Sequence, residues 1–256
     1  MTLEPTRAIV RSPVAPLFEE PSISSVQISQ VLGGHAVEVL DESDGWCSVR
    51  GRDHYVGWMH RGYLHEASAM GDDARAPSRL SLGCVVSRAS GRRRSLPLGA
   101  YLHDGDELLS GEVVDVEQQA HRFPRAAAAI TLSARCYFEG TSYLWGGVTP
   151  WGADCSGLVQ ATFALHGVPL PRDAWQQASE GLGVDASPFE ASEGDLLFFS
   201  DRPDRHVTHV AIALGAGGLV HLALGRGGFC IERLDDASDE YVATLVARFV
   251  CARRVL

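Results

Sequence analysis

The 256-residue chain contains no lysine: its 22 basic residues are all arginine, against 32 acidic ones, for a net charge of −10. That balance excludes electrostatic steering towards nucleic acid or anionic wall polymers. The exclusive use of arginine reads as genome composition, not mechanism. One basic run exists, Arg92-Arg93-Arg94 beside Gly91, and it is expected to be a solvated turn. Apolar runs of the ~20 residues that span a bilayer are missing, so no membrane segment is expected. The opening residues, MTLEPTRAIVRSPVAPLFEEPS, lack the contiguous apolar stretch of a signal peptide. The six cysteines, at 47, 84, 136, 155, 230 and 251, form no CxxC pair. That removes a disulfide framework and a zinc knuckle. With no secretion signal in view, the expected compartment is the reducing cytoplasm.

The whole sequence has the ordinary composition of a soluble protein, 45% hydrophobic and 21% charged. Residues 7–67 read as a small β domain. His35–Leu40 alternates, Asp44-Gly45 marks a turn, and Trp46–Arg50 resumes the strand. Small polar residues at 67–79 read as a linker. A second, shortened β domain is expected at 80–122, with strands at 95–100 and 111–116. Pro124 is expected to open a helix over PRAAAAITLSARCYF, at the position where proline needs no N–H partner. A further helix starts at Cys155 or Ser156, carries Leu158, Thr162 and Leu165 on one stripe flanked by Val159 and Phe163, and stops at Gly167. Strands are then expected at 195–200, 207–214, 219–224, 229–234 and 245–251. Helices followed by antiparallel strands describe an α+β domain over 124–256.

The chemistry concentrates in residues 143–157, YLWGGVTPWGADCSG. A thiol in the first turn of a helix meets the unsatisfied N–H groups and the positive end of the peptide dipoles, which favour the nucleophilic thiolate. His209 and His221 follow in strand-like runs. Cysteine, base and orienting group are the set that nucleophilic catalysis requires. The two histidines share a sheet face only if the hairpin pairs residues whose numbers sum to an even value. A three-residue connection within 214–218 would provide that register, and a slip by one would part the rings. His209 shares its face with Ala211 and Ala213, as expected where a helix packs closely. Cysteine with two histidines also suits zinc, but the His-x-Glu and Cys-x-x-Cys of zinc deaminases are missing. Neither a metal nor a cofactor is therefore expected. The glycine clusters at 215–218 and 225–228 lack the spacing of a nucleotide fingerprint and are expected as turns. The other cysteines are expected to be small buried thiols, and the other eight histidines, His206 among them, are given no role.

Asp154-Cys155-Ser156-Gly157 preceded by Tyr143-Leu144-Trp145-Gly146-Gly147 resembles the NlpC/P60 cysteine peptidases. Pro171-Arg172-Asp173, Gly194–Phe199 and the two histidine strands match in the same order. The resemblance implies a papain-like catalytic domain preceded by two small SH3-like β-barrel domains, with Asp53–Met59 resembling the loop and strand of bacterial SH3-like domains. It implies Cys155 as nucleophile, His209 as general base and His221 as the ring that orients it. In that domain order it resembles γ-D-glutamyl-L-diamino acid endopeptidases of murein peptide recycling. Their partners would be stem peptides, L-Ala-γ-D-Glu-diamino acid, with a free amine. Tyr55 would reach the pocket from DHYVGW, Asp173 would receive the amine, and Tyr143, Trp145, Asp154 and Ser156 would line the pocket. Ala174 stands where a hydroxyl residue often follows in the family. The alternatives on the same fold are a wall-acting murein hydrolase, an amidase, or a non-catalytic wall-peptide binding protein.

Overall fold

The computed structural model describes residues 6–66, 78–88, 91–103 and 105–256. The chain divides into two compact units, Met1–Gln119 and Ala120–Leu256. The expected linker at 67–79 lies outside the described residues as far as 77, and Arg79 already opens a strand.

The first unit holds β1 (Thr6–Val10), β2 (Val14–Phe18), β3 (Gln27–Leu32), β4 (Ala36–Ser43), β5 (Trp46–Arg50), β6 (Val56–His60) and β7 (Leu64–Glu66), joined in the order β3-β2-β6-β5-β4-β1-β7. Its core takes every second residue of these strands: Ala8 and Val10, Ala15 and Leu17, Val37 and Val39, Cys47 and Val49, then Met59. Asp44 and Gly45 both adopt positive φ, 46° and 82°, in the tight turn between β4 and β5. A three-stranded sheet follows, order β10-β8-β9, from β8 (Arg79–Ser87), β9 (Arg93–Tyr101) and β10 (Glu107–Asp115). Arg93 and Arg94 therefore belong to a strand and not to a solvated turn. Arg94 Nη2 donates to Asp106 Oδ2 at 2.7 Å, because that buried carboxylate needs a cationic partner.

A short helix, α1 (Gln119–Arg122), spans the boundary between the units, and the second unit continues with α2 (Ala127–Phe138), β11 (Val148–Thr149), β12 (Gly152–Ala153), α3 (Cys155–Leu165) and α4 (Ala174–Gln177). Strands β13 (Leu182–Val184), β14 (Leu196–Phe199), β15 (His209–Gly215), β16 (Gly218–Ala223) and β17 (Gly228–Arg233) come next, then α5 (Glu240–Ala247) and β18 (Phe249–Arg254). Six strands make one antiparallel sheet in the order β13-β18-β14-β15-β16-β17. Helices α2 and α3 pack on each other and on β15 and β16. Pro124 does not open α2; its carbonyl accepts the Ala126 N–H at 2.8 Å and lies 2.7 Å from His166 Nδ1.

Residues 245–247, expected in a terminal strand, complete α5 instead. Asp239 accepts from the N–H groups of Tyr241 and Val242, and Val242 and Leu245, three apart, bury one helical face. Leu245 then joins Ala211, Ala213 and Leu219 in a common core, so α5 covers the sheet face with the small residues. Of the cysteines, Cys47 and Cys84 are buried as expected, Cys230 and Cys251 are half-buried, and Cys136 is exposed.

Candidate active site

The turn entering α3 is built by close backbone approaches. A Cβ at Gly157 would sit 2.1 Å from the Gly147 carbonyl oxygen, and one at Gly147 would sit 2.3 Å from that of Gly152. Glycine is required at both positions because the chains leave no room for a side chain. Asp154 caps the helix, Oδ1 accepting the Gly157 N–H at 2.8 Å, while Oδ2 accepts the Gly146 N–H at 2.9 Å. Arg172, only 1% exposed, completes the lock with Nη1 3.0 Å from Asp154 Oδ1 and Nη2 2.6 Å from Oδ2. Arg172 Nη1 also donates to Ser156 Oγ at 2.8 Å. Asp154 and Ser156, expected to line a substrate pocket, are thus buried and committed to this internal cluster. Motif matching alone could not separate a pocket wall from a buried clamp.

Cys155 is the first residue of α3 and 6% exposed. Of the first-turn amides, Gly157 N–H is taken by Asp154 Oδ1 and Leu158 N–H by the Asp154 carbonyl. The Ser156 and Val210 N–H groups are directed at the Cys155 sulfur. The Cys155 N–H has no partner among the described residues and cannot find one within its own helix. Burial, followed by the Asp154 charge, pushes the thiol up to about 12, against the pull of Val210 N–H, Arg172 and Ser156 N–H. The expected resting thiolate is therefore corrected. In this site burial outweighs the helix terminus, and the sulfur carries its proton at neutral pH.

Val210, whose amide meets that sulfur, directly follows His209. Strands β15 and β16 pair Ile212 with Val220 and Ala213 with Leu219, sums of the even parity that puts both histidines on one face. The connection is shorter than the three residues expected. Ala216 and Gly217, with φ of 48° and 74°, form a two-residue turn, and a bulge between Ala213 and Gly215 restores the parity. His209 Nε2 lies 2.8 Å from His221 Nδ1, with the ring centroids 5.0 Å apart and the planes at 69°. His209 is half-buried and His221 fully buried. Burial, then the neighbouring His221, holds the His209 imidazole well below its ordinary value, so it stays neutral.

Tyr143 lies half-buried beside the thiol; burial, then the Cys155 and Asp154 charges, raises its phenol far above the usual value. Trp145 is 62% exposed. Asp173 is half-buried at the start of α4, where its N–H donates to Gln176 Oε1 at 3.1 Å in a capping box. Tyr55 sits in the first unit, packed against the core of its seven-stranded sheet. Among the described residues no group of three His, Cys, Asp or Glu side chains converges as metal ligands. Sequence reasoning missed Arg172, although PRD was noted, and Gln177. Gln177 is wholly buried, and its Nε2 donates to the Ser156 and Pro171 carbonyls at 3.1 and 2.9 Å. A long polar side chain reads as surface until its partners are known.

An α+β domain with a cysteine opening a buried helix and a hydrogen-bonded histidine pair on the adjoining sheet defines a cysteine peptidase. Residues 140–247 match the NlpC/P60 family, and residues 13–65 match the bacterial SH3 domain. The chain is 36% identical over 222 residues to the γ-D-glutamyl-L-lysine dipeptidyl-peptidase of Bacillus subtilis, covering 75% of this chain and 71% of the relative. It is 27% identical over 269 residues to dipeptidyl-peptidase 6 of Lysinibacillus sphaericus, covering 91% and 94%. Its fold is shared with a crystal structure of an NlpC/P60 family protein from Bacillus cereus, at a TM-score of 0.81 and 20% identity over 98% of this chain and 100% of that one. The protein belongs to the NlpC/P60 family of cysteine peptidases, with an N-terminal bacterial SH3 domain.

Proposed function

We propose that this protein is an endopeptidase that hydrolyses the γ-D-Glu–diamino acid amide of murein stem peptides bearing a free N-terminal L-Ala, in cell-wall peptide recycling. The observation that carries the reading is the 2.8 Å His209–His221 contact set next to the Cys155 thiol by Val210. The Bacillus subtilis relative is named a γ-D-glutamyl-L-lysine dipeptidyl-peptidase, which supports the bond chosen.

In this reading Cys155 is the nucleophile and His209 the base. Both are neutral at rest, so the proton moves from sulfur to imidazole as the sulfur attacks the scissile carbonyl. The S–C bond forms while the carbonyl π pair moves to oxygen, and the unpartnered Cys155 N–H faces the developing oxyanion. His209 then protonates the leaving amine, and water releases the acyl group by the reverse sequence. His221 accepts the His209 Nε2–H and leaves Nδ1 for the thiol. Asp173 receives the substrate ammonium, with Tyr143 and Trp145 as pocket walls; a desolvated ammonium needs such a carboxylate.

Defined stem peptides analysed by mass spectrometry test this. Cys155→Ala should abolish cleavage of L-Ala-γ-D-Glu-diaminopimelate with the fold intact, and retained turnover rejects the nucleophile. Acetylating the peptide amine should weaken turnover strongly. Equal cutting of acetylated stems or intact murein replaces this reading with a wall hydrolase.

A further inference from the structure

The diagonal that joins His209 to His221 continues onto the next strand. His221 pairs with Cys230 across β16 and β17, and Leu219 pairs with Glu232. Glu232 therefore occupies the histidine face, one diagonal step from His221. His221 Nε2 is buried and has no hydrogen-bond partner among the described residues. Glu232 Oε1 stands 3.7 Å away, beyond hydrogen-bond distance but close enough for its charge to be felt in a poorly solvated site.

That carboxylate is held in place from behind. Arg226 Nε and Nη2 donate to its two oxygens at 2.8 and 3.2 Å. Arg226 also pairs with Asp239, and its guanidinium lies 4.4 Å over the Tyr241 ring centroid. Burial raises the Glu232 carboxyl, but His221 and Arg226 lower it by more, so it remains charged. The groups around His221 are thus His209 of β15, Cys230 and Glu232 of β17, and Tyr241 of α5.

We infer that Glu232 is a positioning residue for the peptidase reaction, selecting the one tautomer of His221 that leaves His209 able to act as a base. The inference rests on the roles given above to His209 and His221. Two proton arrangements satisfy the 2.8 Å contact. In one, His209 Nε2–H donates to His221 Nδ1, and His221 holds its own proton on Nε2, towards Glu232. His209 Nδ1 then keeps its lone pair for the thiol proton. In the other, His221 Nδ1–H donates to His209 Nε2, His209 Nδ1 is protonated, and no base faces the thiol. That second arrangement turns the His221 Nε2 lone pair towards a carboxylate, which is repulsive. The negative charge of Glu232 removes it. The same charge steadies the imidazolium formed when His209 takes the thiol proton.

Imidazole 15N spectra of the intact wild-type protein give the first test. His221 should carry its proton on Nε2, and a proton on Nδ1 overturns the inference whatever any variant does. In Glu232→Gln the amide oxygen is drawn to Arg226, leaving its NH2 towards Nε2 and favouring the unproductive tautomer. We expect a loss in kcat of about 10- to 100-fold with little change in KM, because general-base catalysis is what fails. The acid limb of the kcat profile should move to lower pH, since an imidazolium without its carboxylate loses its proton more readily. Added to His221→Ala, Glu232→Gln should cost nothing more; a residue acting only through structure would lower both backgrounds equally. Unchanged kcat and acid limb in Glu232→Gln, in an enzyme that Cys155→Ala inactivates, overturn this inference and leave the peptidase reading standing.

Discussion

The guanidinium of Arg172 and the carboxylate of Asp154 meet in the interior, 2.6 Å apart at Nη2–Oδ2, with the arginine side chain 1% and the aspartate 8% exposed. Between them they fix the turn that presents Cys155. Asp154 receives the backbone N–H groups of Gly146 and Gly157, and Arg172 holds Ser156. Neither charge meets solvent to any useful extent, so each depends on the other.

Replacing Arg172 with methionine should leave the Asp154 charge buried and unpaired. The expected loss of stability is about 3–5 kcal/mol, as for breaking a buried pair from one side, read as a lower midpoint in urea. Lysine at the same place should recover little, because it lacks the planar fork that serves Asp154 and Ser156 together. An unmoved midpoint for the methionine variant would show that the pair contributes nothing.

Gly157→Ala should be damaging despite the small change, because the added carbon meets the Gly147 carbonyl at 2.1 Å. Overpacking of this kind costs about 1–3 kcal/mol, and here the displaced backbone carries the nucleophile. Activity should therefore fall further than stability. Near-wild-type turnover would mean that the turn can relax without moving Cys155.

The raised Cys155 thiol has a defined signature in pH. Its ordinary value is 9.0 and its folded value about 12, so the native state keeps a proton that the unfolded chain gives up between them. The resulting stability is complete below pH 9 and disappears as pH rises towards 12. Cys155→Ala should flatten the alkaline decline of the melting temperature in that window. Iodoacetamide at pH 7 should modify exposed Cys136 before Cys155. Rapid alkylation of Cys155 at that pH would contradict the protonated thiol.

His209 gives the opposite limb. Burial and His221 hold it well below 6.5, so it remains an available base as the solution is acidified. The acid limb of kcat/KM should therefore lie below pH 6.5, since a base with a lowered pKa is lost to protonation only at lower pH. A limb at or above that value would place His209 in a more solvated setting.

Asp173→Asn should raise KM for stem peptides with a free amine and leave KM for the acetylated peptide nearly unchanged. The expected factor is about 30-fold or more, corresponding to a charge pair of at least ~2 kcal/mol at a desolvated site. An equal effect on both peptides would assign Asp173 to its capping box with Gln176 alone.

Short-range signals were legible where local geometry decides the outcome. Asp44-Gly45 turned because both residues tolerate positive φ, and α3 ran from Cys155 until Gly167, whose φ is 70°. The strand faces of 209–214 and 219–223 were readable from alternation, and with them the parity of the histidine hairpin. The start of the terminal strand, 245–247, was misread because its apolar residues suit a strand as well as a helix, while 249–251 are in the strand as expected. The cap at Asp239 and the core contact of Leu245 decided between them. Arg93 and Arg94 were misread as part of a solvated turn because the partner of Arg94, buried Asp106, lies beyond the far end of the strand.

The chain's own order of residues determined the family, the thiol at a helix start and the two histidines on one sheet face, since each follows from local periodicity and motif spacing. Folding in three dimensions decided the state of those groups. Burial made the thiol neutral where the helix terminus alone would ionise it, and it turned Asp154 and Ser156 inward onto Arg172. It also brought Glu232 up to His221 from another strand. Desolvation and charge pairing depend on which distant side chains exclude water together, and no pattern along the backbone encodes that.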